Sequence, residues 1–114
     1  DNIESFDTIQ SAEGMFIKQP LVYPSPLRIN DGGFLGYSLS RDDIDLELRI
    51  YDMFGYEVIR KEYTHNSTGA FLGYNRLTLD ADFFESKPVA AGVYFYVFIS
   101  DGELLGKGKF AVAP

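Results

Sequence analysis

A chain of 114 residues fits one domain and can bury a core of its own without covalent staples. It has no cysteine, which excludes a disulfide framework, a thiolate metal site and a cysteine nucleophile. Seventeen acidic against ten basic side chains leave a net charge of −7, which disfavours nucleic acid and anionic lipid as partners, and no stretch approaches the roughly 20 apolar residues of a membrane helix.

Residues 1–14 are acidic and polar with scattered apolar positions, and read as a lead-in or linker. They lack the basic and apolar regions of a signal peptide, so the chain begins like something cut from a longer protein. Residues 15–114 read as the folded domain. Ten Phe and eight Tyr with no Trp make a strand-favouring mixture. Met15 to Tyr23 is the first expected strand, and Pro20 suits an edge or a bulge. Pro24 and Pro26 force an extended path, and Asn30-Asp31-Gly32-Gly33 is a turn signal.

Leu35, Tyr37 and Leu39 alternate with Gly36, Ser38 and Ser40, giving a second strand. After Arg41-Asp42-Asp43 the alternation is strict. Ile44, Leu46, Leu48 and Ile50 fall on one face and Asp45, Glu47 and Arg49 on the other, as in a strand with one wet side. Asp52-Met53-Phe54-Gly55 is the expected hairpin corner. Gly55 there supplies a positive φ, and Val in its place is expected to damage folding.

Tyr56 to Thr64 is a fourth strand, residues 65–73 a polar loop, and Tyr74 to Asp80 a fifth strand. Asp80 to Pro88 is irregular, with room for one helical turn capped by Asp80. Val93 to Ser100 and Leu104 to Val112 form a last hairpin closed by Asp101-Gly102. Residues 93–99 are apolar at both parities, which predicts a strand covered on both sides. About seven short strands with closely spaced turns and no amphipathic helix predict an all-β, immunoglobulin-like (fibronectin III-like) antiparallel β-sandwich.

The candidates for chemistry are few. His65 is the sole histidine, and no spacing places it between a carboxylate and a nucleophile, so it reads as an exposed loop residue and the chain as no enzyme. Asp42, Asp43 and Asp45 near one turn, with Asp80 and Asp82 near another, offer oxygen ligands for calcium. Their spacing matches no EF-hand loop, and acidic residues also favour turns, so no cofactor is expected. Asn66-Ser67-Thr68 matches the glycosylation acceptor pattern and marks an exposed loop. Tyr51, Tyr56, Tyr63, Tyr74, Tyr94 and Tyr96 are a possible sugar-stacking row, against the plainer reading of strand packing. Tyr94 is expected to be buried. Lys107 and Lys109 alternate on the last strand, either as guards of an edge or as a surface that another chain recognises.

The order of these pieces resembles the C-terminal sorting domains of type IX secretion substrates and the related immunoglobulin-like domain of flagellar hook-capping proteins. The resemblance runs from Val22-Tyr23-Pro24-Ser25-Pro26 through the Leu35 to Leu39 strand to Ile50-Tyr51-Asp52-Met53-Phe54-Gly55-Tyr56-Glu57-Val58. It continues with Ala90-Ala91-Gly92-Val93-Tyr94-Phe95-Tyr96 and Gly106-Lys107-Gly108-Lys109-Phe110, and extends to Pro114. Ser25 stands where the group usually has Asn, and Leu79-Asp80-Ala81 where it has Trp-Asp-Gly. The basic last residues often seen in sorting signals are replaced by Ala111-Val112-Ala113-Pro114.

The resemblance implies a non-catalytic sorting and attachment module of an exported bacterial protein, carried through the periplasm to the cell surface or beyond. It implies protein partners, either the secretion machinery or neighbouring domains. Lys107, Lys109 and Phe110 are the expected partner-binding residues, and Gly55, Gly92 and Tyr94 the expected fold-critical ones. The alternatives are a structural or assembly module of a multidomain protein and a carbohydrate-binding module.

Overall fold

The computed structural model describes residues 17–114. Met15 and the lead-in residues 1–14 lie outside the described residues. Within them the alternating segments form seven strands: β1 (Ile17–Tyr23), β2 (Gly33–Leu39), β3 (Leu46–Tyr51), β4 (Glu57–Tyr63), β5 (Gly73–Leu79), β6 (Gly92–Ser100) and β7 (Glu103–Val112). Every ladder between these strands is antiparallel. A three-stranded sheet has the order β1-β2-β5 and a four-stranded sheet the order β4-β3-β6-β7. This is the fibronectin III-like arrangement of an immunoglobulin-like sandwich.

The two sheets bury the parity that the sequence marks as apolar. Leu46, Leu48 and Ile50 of β3 face Leu35, Tyr37 and Leu39 of β2 across a core that also holds Leu77, Leu79, Phe84 and Phe98. The Tyr37 and Phe98 rings meet at 4.7 Å between centroids and bind the two sheets together. Tyr37 is fully buried, so its hydroxyl needs a partner inside the protein, and it donates to the Gly69 carbonyl at 2.6 Å. That bond also fixes the long polar loop after β4 against the core.

Local chemistry fixes the hairpin ends. At the β3–β4 corner the Asp52 carboxylate accepts from the backbone N–H groups of Phe54 and Tyr56, at 2.9 and 3.0 Å. Asp52 N–H donates to the Tyr56 carbonyl, closing the turn. Gly55 sits at φ +88° with nothing within 4 Å of a would-be Cβ, so backbone conformation alone opposes a side chain there. Asp101 and Gly102 close the β6–β7 hairpin with positive φ at both positions, as a type I′ turn requires. After β5, the Asp80 side chain caps a short run of helix-like turns by accepting from Phe83 N–H at 2.9 Å, as the sequence predicts for this stretch.

Two features of the first strand position the last. The β1–β2 register slips between Lys18 and Leu21, around Pro20. The chain then leaves the three-stranded sheet through Tyr23–Pro24 and Ser25–Pro26, both cis, and Leu27 bridges Val112 in the four-stranded sheet. The Leu27 N–H donates to the Ala111 carbonyl and the Leu27 carbonyl accepts from the Ala113 N–H, each at 2.8 Å. It therefore caps the far end of β7's outer edge.

Candidate partner-binding edge

The β6–β7 hairpin carries the residues that the sequence marks for a partner, and the pleat sorts them onto two faces. Tyr94, Tyr96 and Phe98 point inward, with Phe110 of β7 beside them. Phe110 is a correction to the sequence reading: it is 5% exposed, stacks on Tyr94 at 5.6 Å and 20°, and supports the hairpin from within. It is not part of the surface. Tyr94 also donates its hydroxyl to the Ala90 carbonyl at 2.6 Å, tying the strand to the chain just before it.

Gly108 lies directly under Tyr96, where a Cβ would sit 2.3 Å from the hydroxyl. The ring fills the space that the glycine leaves. Gly92, at φ +148°, opens β6 with the Met53 methyl 2.8 Å from where its Cβ would be.

The other parity faces outward. Lys107 pairs with Val97 and Lys109 with Phe95 across the ladder, so both lysines lie along an apolar stripe on the outer face. The expected double cover of residues 93–99 is not observed. Val93 and Phe95 are exposed, and Val97 and Ile99 are half-buried. The register gives the physical reason. On this face β6 is flanked by Glu47 and Arg49 of β3 and by the two lysines of β7, and a second layer there would bury four charges. Those charged neighbours were the available signal in the sequence.

Strand parity also defines the edge. In an antiparallel ladder, alternate residues direct their N–H and C=O to opposite sides. Ala111 sends its carbonyl to Leu27, away from β6. The β6–β7 register is continuous from Gly92↔Val112 to Phe98↔Gly106, so Lys109 and Lys107 share that direction. Among the described residues, no strand pairs with β7 on that side, and Leu27 occupies only its end.

The remaining candidates do not form sites. His65 sits in an exposed loop and is held by Asp45, whose Oδ1 is 2.8 Å from the His65 backbone N and 2.6 Å from Nδ1. The same hydrogen bonds keep the Asp45 carboxyl below the usual carboxylate range. The neighbouring Ser67 hydroxyl donates to the Thr64 carbonyl instead of facing the imidazole.

Asp43 is paired with Arg41, and Asp80 caps Phe83. Among the described residues, no three His, Asp or Glu side chains are placed to share a metal ion. The six tyrosines do not make a row, which favours the strand-packing reading over the sugar-stacking alternative. Tyr94 and Tyr96 are inside, Tyr51 is half-buried at the end of β3, Tyr63 is partly buried against the core, Tyr74 is on the three-stranded sheet and Tyr56 is on the β3–β4 corner. A depression of about 500 Å³ is lined by Arg28, Asp31, Ser86, Lys87 and Pro88 among others, and none of the residues singled out from the sequence for chemistry lies in it.

No protein-family model and no curated protein matches the sequence. Among solved structures, the chain is similar to PorU from Porphyromonas gingivalis in its dimeric latent form. That match has a TM-score of 0.63 and 18% identity, and covers 82% of this chain and 9% of that one. It is also similar to the alkylpurine DNA glycosylase AlkC of Pseudomonas fluorescens, with a TM-score of 0.61 and 16% identity over 88% of this chain and 30% of that one. A duf3244 family protein from Bacteroides vulgatus with an immunoglobulin-like β-sandwich fold superposes with a TM-score of 0.49 and 16% identity, over 83% of this chain and 97% of that one. The chain spans less than a third of AlkC and less than a tenth of PorU, and at these identities the likeness is one of fold.

Proposed function

We propose that this chain is a non-catalytic sorting and attachment module of an exported bacterial protein, recognised through its β6–β7 hairpin on the way through the periplasm to the cell surface. The observation that carries this reading is the outer edge of β7. It has backbone groups with which no strand pairs among the described residues, two lysines and an apolar stripe beside them, on a hairpin anchored from inside by Tyr94 and Phe110. A recognition handle needs a rigid support and an accessible edge, and this hairpin combines both.

The resemblance in motif order from Val22 onward supports the export part. So does the fold shared with PorU, a type IX secretion protein. The engagement of His65 by Asp45 in an exposed loop, with the neighbouring Ser67 hydroxyl donated to the Thr64 carbonyl, supports the non-catalytic part. The net charge of −7 argues against taking the DNA of the AlkC complex as a guide to this chain's partner.

A second reading is a structural or assembly module. It is favoured by Met53, Phe54 and Tyr56, whose large apolar side chains at the β3–β4 corner are half to three-quarters exposed, next to Gly92 and close to exposed Val93.

The deciding experiment fuses the full chain behind a signal peptide and a fluorescent reporter. The fusion is expressed in a host with a working type IX system and in its translocon-deficient twin. Delivery to the surface or medium in the competent host alone is the expected result. Periplasmic retention in both hosts would overturn the sorting reading in favour of the assembly module.

A further inference from the structure

All ten Lys and Arg residues fall within the described part of the chain. Arg41, Arg49, Arg60, Lys61 and Lys87 each hold a carboxylate. Arg28 donates to the Pro114 carbonyl, Arg76 lies over the Phe34 ring at 4.2 Å, and Lys18 is engaged as well. Lys107 and Lys109 are the exceptions, with no ion pair among the described residues. In a chain with seventeen acidic side chains, two unpaired cations at positions i and i+2 of one strand are a concentrated positive feature. They also stand on the backbone edge with which no strand pairs among the described residues.

The geometry points to a specific occupant: an extended acidic segment of a partner protein, added as a strand alongside β7, with carboxylates opposite Lys107 and Lys109. This rests on the reading of the hairpin as a recognition handle and names the chemistry of what it meets. A strand added at this edge would bond to the outward N–H and C=O groups of Lys107 and Lys109. It would extend the track that Leu27 already occupies at Val112. Its outward side chains would stand about 5 Å, between Cβ atoms, from the two lysines, close enough for direct pairing.

Its inward side chains would fall beside Gly108 and Phe110, at the apolar rim of the core. The required pattern is therefore acidic, apolar, acidic. A second copy of this chain does not satisfy it, because two β7 edges brought together would place lysine against lysine.

Lysines that merely guard an edge would repel any added strand, and this separates the two roles. A synthetic peptide alternating Glu and Val serves as the probe, with a peptide alternating Lys and Val as its control. Amide exchange is followed in the full chain. At saturating Glu–Val peptide, exchange at Lys107 and Lys109 is expected to slow by about tenfold or more, with no effect of the control. The double variant Lys107→Glu/Lys109→Glu keeps a charged edge but should exchange the preference of the two peptides. Lys109→Pro removes an outward N–H while leaving the β6–β7 ladder intact, and should abolish protection by either peptide.

Unchanged exchange at both lysines with the Glu–Val peptide, or equal protection by the two peptides, overturns the proposal. In the delivery assay, both variants should lose about tenfold of export at an unchanged melting midpoint. Export at the wild-type level for both variants, where wild type depends on the translocon, also overturns it. Failure of wild type itself to be delivered overturns the sorting reading instead, and the peptide result then decides the edge alone.

Discussion

Tyr94→Ala is expected to cost about 3–5 kcal/mol of folding stability, a large share of what a domain of this size has. The ring is 6% exposed, and it touches the fold in three ways. It stacks on Phe110 of β7 at 5.6 Å, its hydroxyl closes a 2.6 Å bond to the Ala90 carbonyl, and its bulk fills the end of the sandwich. Truncation leaves a cavity, an unpaired carbonyl and an unsupported Phe110. Tyr94→Phe keeps the ring and loses only the hydrogen bond, so it should cost about 1–2 kcal/mol. Denaturant unfolding of the two variants measures both values. A midpoint for Tyr94→Ala indistinguishable from wild type would mean that the ring is not part of the core. The same substitution should also loosen the hairpin, because Phe110 holds β7 from the inside.

The second large effect is alkaline unfolding. Burial pushes the phenol of Tyr96 up to about 12 and that of Tyr63 also up to about 12, and raises Tyr37 further still. An unfolded tyrosine ionises near 10. The folded state therefore keeps protons that the unfolded state gives up, so stability is intact below about pH 10 and falls as pH rises from there. Each of the three tyrosines removes about 1.4 kcal/mol per pH unit over that window, and together they approach the whole stability of a small domain by about pH 12. Melting curves between about pH 8 and 12 should hold steady and then collapse, with the phenolate absorbance of these tyrosines rising only as the fold is lost. Complete tyrosine ionisation in a chain that still melts cooperatively would contradict this burial.

The strands were legible because one physical pattern determines them. Leu46, Leu48 and Ile50 must leave water while Glu47 and Arg49 must not, and only a half-buried strand satisfies both. The β3–β4 corner was legible because Gly55 is the residue that best tolerates the required φ, although the two bonds to the Asp52 carboxylate needed coordinates.

The cover of β6 was misread because a strand's own apolar content does not say what lies beside it. Register does, and it places Arg49 next to Val97 and Lys109 next to Phe95. The tyrosines could not be sorted for the same reason: Tyr74 and Tyr96 look alike in sequence, yet one faces solvent and the other the core. The Leu27–Val112 bridge depends on where the two prolines send the chain, and no local periodicity encodes it. Of the candidate edge, Lys107 and Lys109 were visible as an alternating pair, and Phe110 was assigned to the wrong face. That the pair has no ionic partner among the described residues depends on the whole surface and emerges only from the fold.

Residue-resolved amide hydrogen exchange of the free chain tests the account most directly. With β7 open on one side, exchange along it must alternate. Gly106, Gly108 and Phe110, whose N–H groups face β6, should exchange slowly, and Lys107 and Lys109 should exchange quickly. Slow exchange at Lys107 and Lys109, equal to that of Gly108 and Phe110, would mean that the edge is already covered and that β7 cannot be the strand a partner reads.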